Sequence, residues 1–200
     1  MKTKGNYLPK SFFRNNPLME YSAAVIAHFV ITERPTERLE QTILDITENS
    51  IDDSRKEKIR QERQRIEQTD DPAVLVEIMR KGCDVFNQQL LCTKVLDIHE
   101  QTMPLLLRRY RTCALDHFID TATRVLATCE RKYVEMLREM YADIRCPFAQ
   151  ACACLVFGMQ GMENEIPFLH SEYLRFQNDY PDETFHQHPL LALYILHGKM

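Results

Sequence analysis

Large apolar residues recur along this chain at a fixed interval of 31 positions. One column of such positions consists of Leu44, Leu75, Leu106, Leu137 and Phe168, and the column beside it of Ile43, Val74, Leu105, Met136 and Pro167. A period of about thirty residues is typical of repeat arrays, in which one unit cannot bury its apolar face alone and stacks on its neighbours. The pattern therefore predicts a stack of similar units.

Within each unit, apolar residues follow helical spacing, and no segment alternates with period two for long enough to predict a strand. The chain is therefore expected to be all-α and to form one domain over 1–200, with an extended N-terminal segment at 1–16. We expect five helix pairs and a C-terminal capping helix, at 17–32 with 36–48, 51–68 with 72–82, 84–101 with 103–112, 114–130 with 132–144, 147–160 with 165–178, and 189–197. Prolines mark several starts, as at Asp71-Pro72, where the aspartate caps the helix and the proline takes its first position.

The predicted first helices of pairs three to five share the same interval. Their columns are Val95, Leu126 and Phe157, and Leu91, Ala122 and Ala153. Because the two columns lie four residues apart, they occupy one helix face. The alternative is that independent amphipathic helices coincide in spacing.

The most regular unit reads CPFAQACACLVFGMQGMENEIPFLHSEYLRF, residues 146–176. It resembles a HEAT-type repeat, which has an alanine-rich first helix, a glycine-bearing turn and an Ile-Pro pair that opens the second helix. These parts are 149–157, Gly158 with Gly161, and Ile166-Pro167.

The resemblance is good over 84–178, partial over 17–48 and poor over 51–68. It implies a right-handed α-α superhelix, a solenoid of about five antiparallel helix pairs whose second helices line a concave surface. It also implies a scaffold or binding role, although some HEAT-like proteins bind nucleic acid or are DNA glycosylases.

Residues 52–68 depart from this pattern, because they are almost wholly charged and only Ile59 and Ile66 are apolar. Such a helix has little to bury, so it does not match the first helices of the other pairs. It could be a solvated helix or connector, or a docking helix that uses Ile59, Ile66 and Arg63. A nucleic-acid-binding arm is a third possibility, which the interleaved acids oppose.

Arginines and tyrosines gather on the predicted second helices. The candidate binding residues on the concave face are Arg108, Arg109, Tyr110, Arg111, Arg138, Tyr141 and Tyr173. Such a stripe could receive phosphates, or acidic and aromatic peptide segments. The alternative is that the tyrosines are half-buried between repeats and the arginines are solvated.

Composition narrows the function classes. The formal net charge is -4, so no overall attraction to nucleic acid or anionic membranes is expected. No apolar run has the roughly eighteen residues needed to span a bilayer, and the N-terminus does not read as a signal peptide. A cytoplasmic location with seven reduced cysteines is therefore expected.

Several clusters were candidates for chemistry, and each has a structural alternative. They are Cys146 with Cys152 and Cys154, His186 and His188 with His170 or His197, Cys113 with His117, and Asp116 with Asp120. Cysteines two apart on a helix point in different directions, and no thiol-enzyme signature surrounds Cys113. We therefore predict no catalytic residue, no metal and no cofactor.

The expected function is a non-catalytic interaction or scaffold module that binds a protein or peptide on its concave face. The alternative is a nucleic-acid-binding protein of the DNA-glycosylase kind, and a thiol or metal enzyme is a remote third. The sequence leaves the oligomeric state open.

Overall fold

The computed structural model describes residues 8–18 and 51–198. The α-helices there are α1 (Lys10–Asn15), α2 (Asp53–Glu67), α3 (Pro72–Lys81), α4 (Gln88–Asp97), α5 (His99–Tyr110), α6 (Asp116–Thr128), α7 (Arg131–Glu139), α8 (Pro147–Met159), α9 (Ile166–Asp179) and α10 (Gln187–Leu196). Short 3-10 helices occupy Val85–Asn87, Tyr141–Asp143 and Glu163–Glu165.

The predicted all-α class is confirmed for these residues, which contain no β-strand. Residues 19–50 lie outside the described part of the chain, and with them Ile43, Leu44 and most of the first predicted helix pair. Within 8–18 and 51–198, no helix combines the length and the apolar character that crossing a membrane requires.

The first helices of successive pairs form one row. In the order α2, α4, α6, α8 and α10, each helix of this row packs against the next. Among the second helices, α3 packs against α5 as well as against α4 and α6, and α9 packs against α10. The side-by-side contact of α3 and α5 creates the cleft described below.

Three of the four described residues of the first 31-residue column lie in the core, while Phe168 is half-buried. Leu75, Leu106 and Leu137 are fully buried, and the two first-helix columns are buried as completely. The neighbouring column faces outward to a larger extent: Val74 and Leu105 are half-buried, and Met136 is 45% exposed. The interval therefore marks equivalent positions in successive helices.

Helix α5 begins earlier than the prediction of 103–112, at His99, so Pro104 lies inside it. Its first turn is anchored by Thr102, whose hydroxyl donates to the carbonyl oxygens of Val95 at 2.6 Å and Ile98 at 3.1 Å. The predicted single helix at 84–101 is divided between a 3-10 turn and α4. Proline was a misleading start signal here because the hydrogen bonds of Thr102 stabilise the turn before it.

Gly158 was predicted to lie in a turn, but it lies within α8. A Cβ atom at this position would come within 2.5 Å of both Cα and Cβ of Ala192 on α10. The turn is instead made by Gly161, whose φ of 67° is in the left-handed region. Gly158 therefore allows close approach of α8 and α10.

Helix α2 occupies the row in spite of its charge. Ile66 is fully buried, and the Asn87 side-chain amide donates to the Ile59 carbonyl at 3.0 Å and to Glu62 at 2.7 Å. Polar contacts thus replace most of the apolar contacts that other helices of the row make. The helix thus occupies the first-helix position, contrary to the prediction, although it does so largely through polar contacts. Because Ile66 is buried, it is not available as a docking residue.

The predicted extended segment at 1–16 contains the short helix α1, which packs at the C-terminal end of the row. Phe13 is buried, and the Tyr194 hydroxyl donates to the carbonyl oxygens of Phe13 at 2.9 Å and Asn16 at 3.1 Å. The Tyr173 hydroxyl donates to the Asn16 side chain at 2.6 Å. The last helix, expected at 189–197, is thus itself covered by the N-terminal segment.

Candidate binding cleft

A cleft of about 480 Å³ lies between α3 and the C-terminal end of α5. Its lining residues are Ala73, Val76 and Glu77 from α3, Leu105, Arg108 and Arg109 from α5, and the following Arg111 and Thr112. Three of the arginines singled out in the sequence are thus brought together in one concave surface. A volume of this size is within the range of ligand sites in proteins.

The helical period of α5 explains why these arginines face outward. Met103, Leu106, Leu107 and Tyr110 are buried on its inner face. Arg108 and Arg109 lie between those positions and are exposed, as is Arg111 just after the helix. Their charges also lie at the helix C-terminus, where the macrodipole favours cations.

Glu77 is the acidic residue in the cleft lining, and its charge is already paired. The Arg80 guanidinium donates two hydrogen bonds to its carboxylate, at 2.7 and 2.6 Å, and Lys81 lies 3.8 Å away. The hydrogen bond from Arg80 lowers the Glu77 pKa to about 2, and the charge of Arg109 contributes to the shift. Glu77 therefore neutralises little of the arginine charge in the cleft.

No described residue forms a hydrogen bond or ion pair with the guanidinium group of Arg108, Arg109 or Arg111. The floor beside them is formed by the apolar side chains of Ala73, Val76 and Leu105, of which Leu105 is half-buried and Val76 is 6% exposed. The cleft thus combines a cationic rim with an apolar floor.

The predicted tyrosine stripe is wrong, because its members are buried. Tyr110 is fully buried, and its hydroxyl donates to the Ala149 carbonyl at 2.9 Å. Tyr141 and Tyr173 are 6% and 2% exposed. Burial raises the pKa of all three phenols. Their side chains therefore lie in the interior, where they contact neighbouring elements.

Arg138 does not join the cleft. Its Nε donates to Glu165 at 2.6 Å, and its guanidinium carbon lies 3.9 Å from the centroid of the Phe168 ring. Arg63 on α2 is exposed and pairs with Glu67 at 3.2 Å. These arginines therefore have partners within the chain.

Sequence reasoning missed a polar network around Glu172. This residue is 31 positions after Tyr141, which in turn is 31 after Tyr110. Its carboxylate accepts hydrogen bonds from the Tyr141 hydroxyl and from Arg175, both at 2.5 Å, and Arg175 also donates to Gln150 at 2.8 Å. An acid in a tyrosine column was the signal that could have indicated this network.

A second missed cluster joins the start of α5 to the start of α7. Ligand atoms of His99, Glu100 and Glu130 lie within 4.8 Å of one another. The His99 Nε2 lies 2.6 Å from Glu130, and the Lys132 ammonium lies 2.5 Å from Glu100 and 3.2 Å from Glu130. A histidine and two carboxylates are plausible cation ligands. Here the lysine already supplies positive charge, so the cluster is an ion-pair network between the two helices.

The thiol candidates are part of the core. Cys152 and Cys154 are buried, and burial raises the pKa of both thiols. Such thiols stay protonated and are poor nucleophiles and ligands.

The His117 side chain lies against the backbone, with its Nε2 at 2.7 Å from the Arg80 carbonyl. Burial also raises the pKa of Asp120.

His188 is 2% exposed, and its Nδ1 has no hydrogen-bond partner among the described residues. Burial lowers its pKa to about 4. The unfolded chain would bind a proton near pH 6.5, the ordinary histidine pKa, whereas folded His188 would not. We therefore expect the free energy of unfolding to decrease as the pH falls from about 6.5 to 4.

Urea unfolding at a series of pH values measures this effect, with His188→Leu as the comparison. In that window the slope of the free energy of unfolding against pH should be smaller in the variant, by up to the equivalent of about one bound proton, since the substitution removes the titrating group. The same slope in both proteins would show that His188 does not stay neutral in the fold.

Comparison of the chain with models of known protein families, with curated proteins and with solved structures found no match. The resemblance to HEAT-type repeats thus rests on the residues of the chain itself.

Proposed function

We propose that this protein is a HEAT-like interaction module, a right-handed helical solenoid that binds a protein or peptide partner in the cytoplasm without catalysing a reaction. The partner binds in the cleft between α3 and α5. Neighbouring second helices line this surface, as the HEAT-like architecture requires of its concave face.

Two features support the solenoid. The helices α2, α4, α6, α8 and α10 pack consecutively, as the first helices of stacked units do. Residues 31 positions apart also make related contacts: the Tyr110 hydroxyl lies 3.4 Å from Thr123, and the Tyr141 hydroxyl lies 3.5 Å from Cys154. Successive units therefore use equivalent positions in equivalent ways.

The observation that carries the binding role is the group of exposed arginines in the cleft. Arg108, Arg109 and Arg111 line one concave surface together with apolar side chains, and no described residue pairs with their guanidinium groups. Exposed arginine beside apolar surface is a common composition of protein-binding sites.

Affinity capture from the native cell tests this role. The double variant Arg108→Glu/Arg109→Glu should lose a partner that the unaltered protein retains, because it reverses the charge of the rim. The control is Arg60→Glu/Arg65→Glu, which makes the same change of net charge at exposed positions of α2. A captured set that is the same for all three proteins would contradict a binding role for the cleft.

A further inference from the structure

We infer that the ligand of the cleft is an acidic segment of a partner protein, in which an aliphatic side chain accompanies the carboxylates. This inference rests on the proposed function and names the chemistry of the partner. It follows from the charges, the apolar floor and the lining of the cleft.

The charges favour carboxylates. Arg108, Arg109 and Arg111 are exposed and unpaired among the described residues, whereas Glu77 is held by Arg80 and Lys81. A guanidinium group presents N–H donors in a planar fork that matches the two oxygens of a carboxylate. An acidic segment would supply the acceptors that the described residues do not supply here.

The floor favours an aliphatic side chain. Ala73, Val76 and Leu105 line the cleft beside the arginines. Burial of an aliphatic side chain against this surface would strengthen binding. A ligand with carboxylates alone would leave that surface uncovered.

The lining also favours a peptide over nucleic acid. Single-stranded nucleic acids commonly bind by stacking their bases on exposed aromatic rings. The lining of the cleft includes no aromatic residue among the described positions, and Tyr110 points into the core. Arginine alone would give phosphate binding that is weak at physiological salt.

Fluorescence anisotropy with short labelled peptides tests the inference on the full chain. The probe set contains Asp, Glu and Leu in varied order, and two matched sets replace the acids by Asn and Gln or the leucines by Ser. We expect binding to the acid-leucine set and at least a tenfold weaker affinity for each matched set, equivalent to about 1.4 kcal/mol.

The two charge-reversal variants locate the site. Arg108→Glu/Arg109→Glu should weaken binding of the best acid-leucine peptide by at least about tenfold, while Arg60→Glu/Arg65→Glu should leave it unchanged. Arg108→Ala/Arg109→Ala should also weaken binding, which separates lost attraction from added repulsion. Unchanged urea midpoints would show that these exposed substitutions leave the fold intact.

Three results would overturn the inference. They are equal binding of the amide or serine peptides, an equal loss of peptide binding in the α2 control variant, and no binding of any acid-leucine peptide. Cleft-dependent binding of single-stranded DNA or anionic vesicles more tightly than of the peptides would assign the arginines to phosphate. If cellular capture depends on the cleft while the peptides fail, the binding role stands and only the ligand class is wrong. If both fail, the cleft is not a binding site.

Discussion

Replacing Leu106 or Leu137 by alanine should lower the free energy of unfolding by about 2–5 kcal/mol in each variant. Both leucines are fully buried, one in α5 and one in α7, at equivalent positions of the 31-residue column. Each truncation removes apolar contacts and leaves a cavity that the surrounding helices fill only in part. Urea unfolding followed by circular dichroism measures the loss.

Met136→Ala is the matched control, because Met136 precedes Leu137 in the same helix and is 45% exposed. This variant should lose less than about 1 kcal/mol, as is usual for surface substitutions. Small losses at Leu106 and Leu137 as well would contradict the equivalence of the column positions. A large loss at Met136 would place the neighbouring column in the core too.

The apolar columns could be predicted from the sequence because buried positions require apolar residues, and here those positions recur at a regular interval. Leu75, Leu106 and Leu137 recur at one interval because each occupies an equivalent position in its helix. All three side chains are completely shielded from water. The same logic identified Val95, Leu126 and Phe157. The local sequence also predicted the helix cap at Asp71. Its carboxylate accepts a hydrogen bond from the Ala73 N–H at 2.8 Å.

The orientation of amphipathic residues was harder to predict. Tyrosine can lie at a surface or in a core, and only the phase of the helix decides between them. Tyr110 follows Met103, Leu106 and Leu107 on the inner face, so it is buried while the adjacent arginines are exposed. A prediction that grouped Arg108, Arg109, Tyr110 and Arg111 as one patch ignored this phase and was right only about the arginines' shared exposure.

Contacts between segments that are distant in the chain could not be predicted from the local sequence. The packing of α1 on α9 and α10 joins Asn16 to Tyr173, and the network of His99 and Glu130 joins different helix pairs. Such pairs depend on the path of the whole chain, which neither spacing nor composition reports. The charged helix α2 was misjudged for the same reason, because Asn87, on which it depends, lies in the next unit.

The charges beside the cleft do not follow the 31-residue interval. At the 31-residue interval Arg108 and Arg109 correspond to Glu139 and Met140, while Arg138 of α7 corresponds to Leu107 and pairs with Glu165. The guanidinium groups of Arg108, Arg109 and Arg111 have no such partner among the described residues. The cationic residues beside the cleft are therefore specific to α5, and this is the surface that we propose for binding.

Gly158→Val should destabilise the protein by about 3 kcal/mol, at the upper end of the usual cost of overpacking. A Cβ atom at position 158 would lie 2.5 Å from Cα and Cβ of Ala192 and 3.0 Å from its carbonyl oxygen. Two of these atoms are backbone, so a change of rotamer cannot relieve the overlap and α10 has to move away from α8. The higher helix propensity of valine would offset only a few tenths of a kcal/mol.

Ala192→Gly in the Gly158→Val background distinguishes this close approach from a general effect of valine. The second substitution removes the Ala192 Cβ but leaves its Cα, which would also lie 2.5 Å from the new Cβ. We therefore expect partial recovery of the urea midpoint relative to Gly158→Val, after subtracting the cost of Ala192→Gly alone. Gly158→Val with wild-type stability would mean that α8 and α10 do not approach this closely, while full recovery would assign the overlap to the side chain alone.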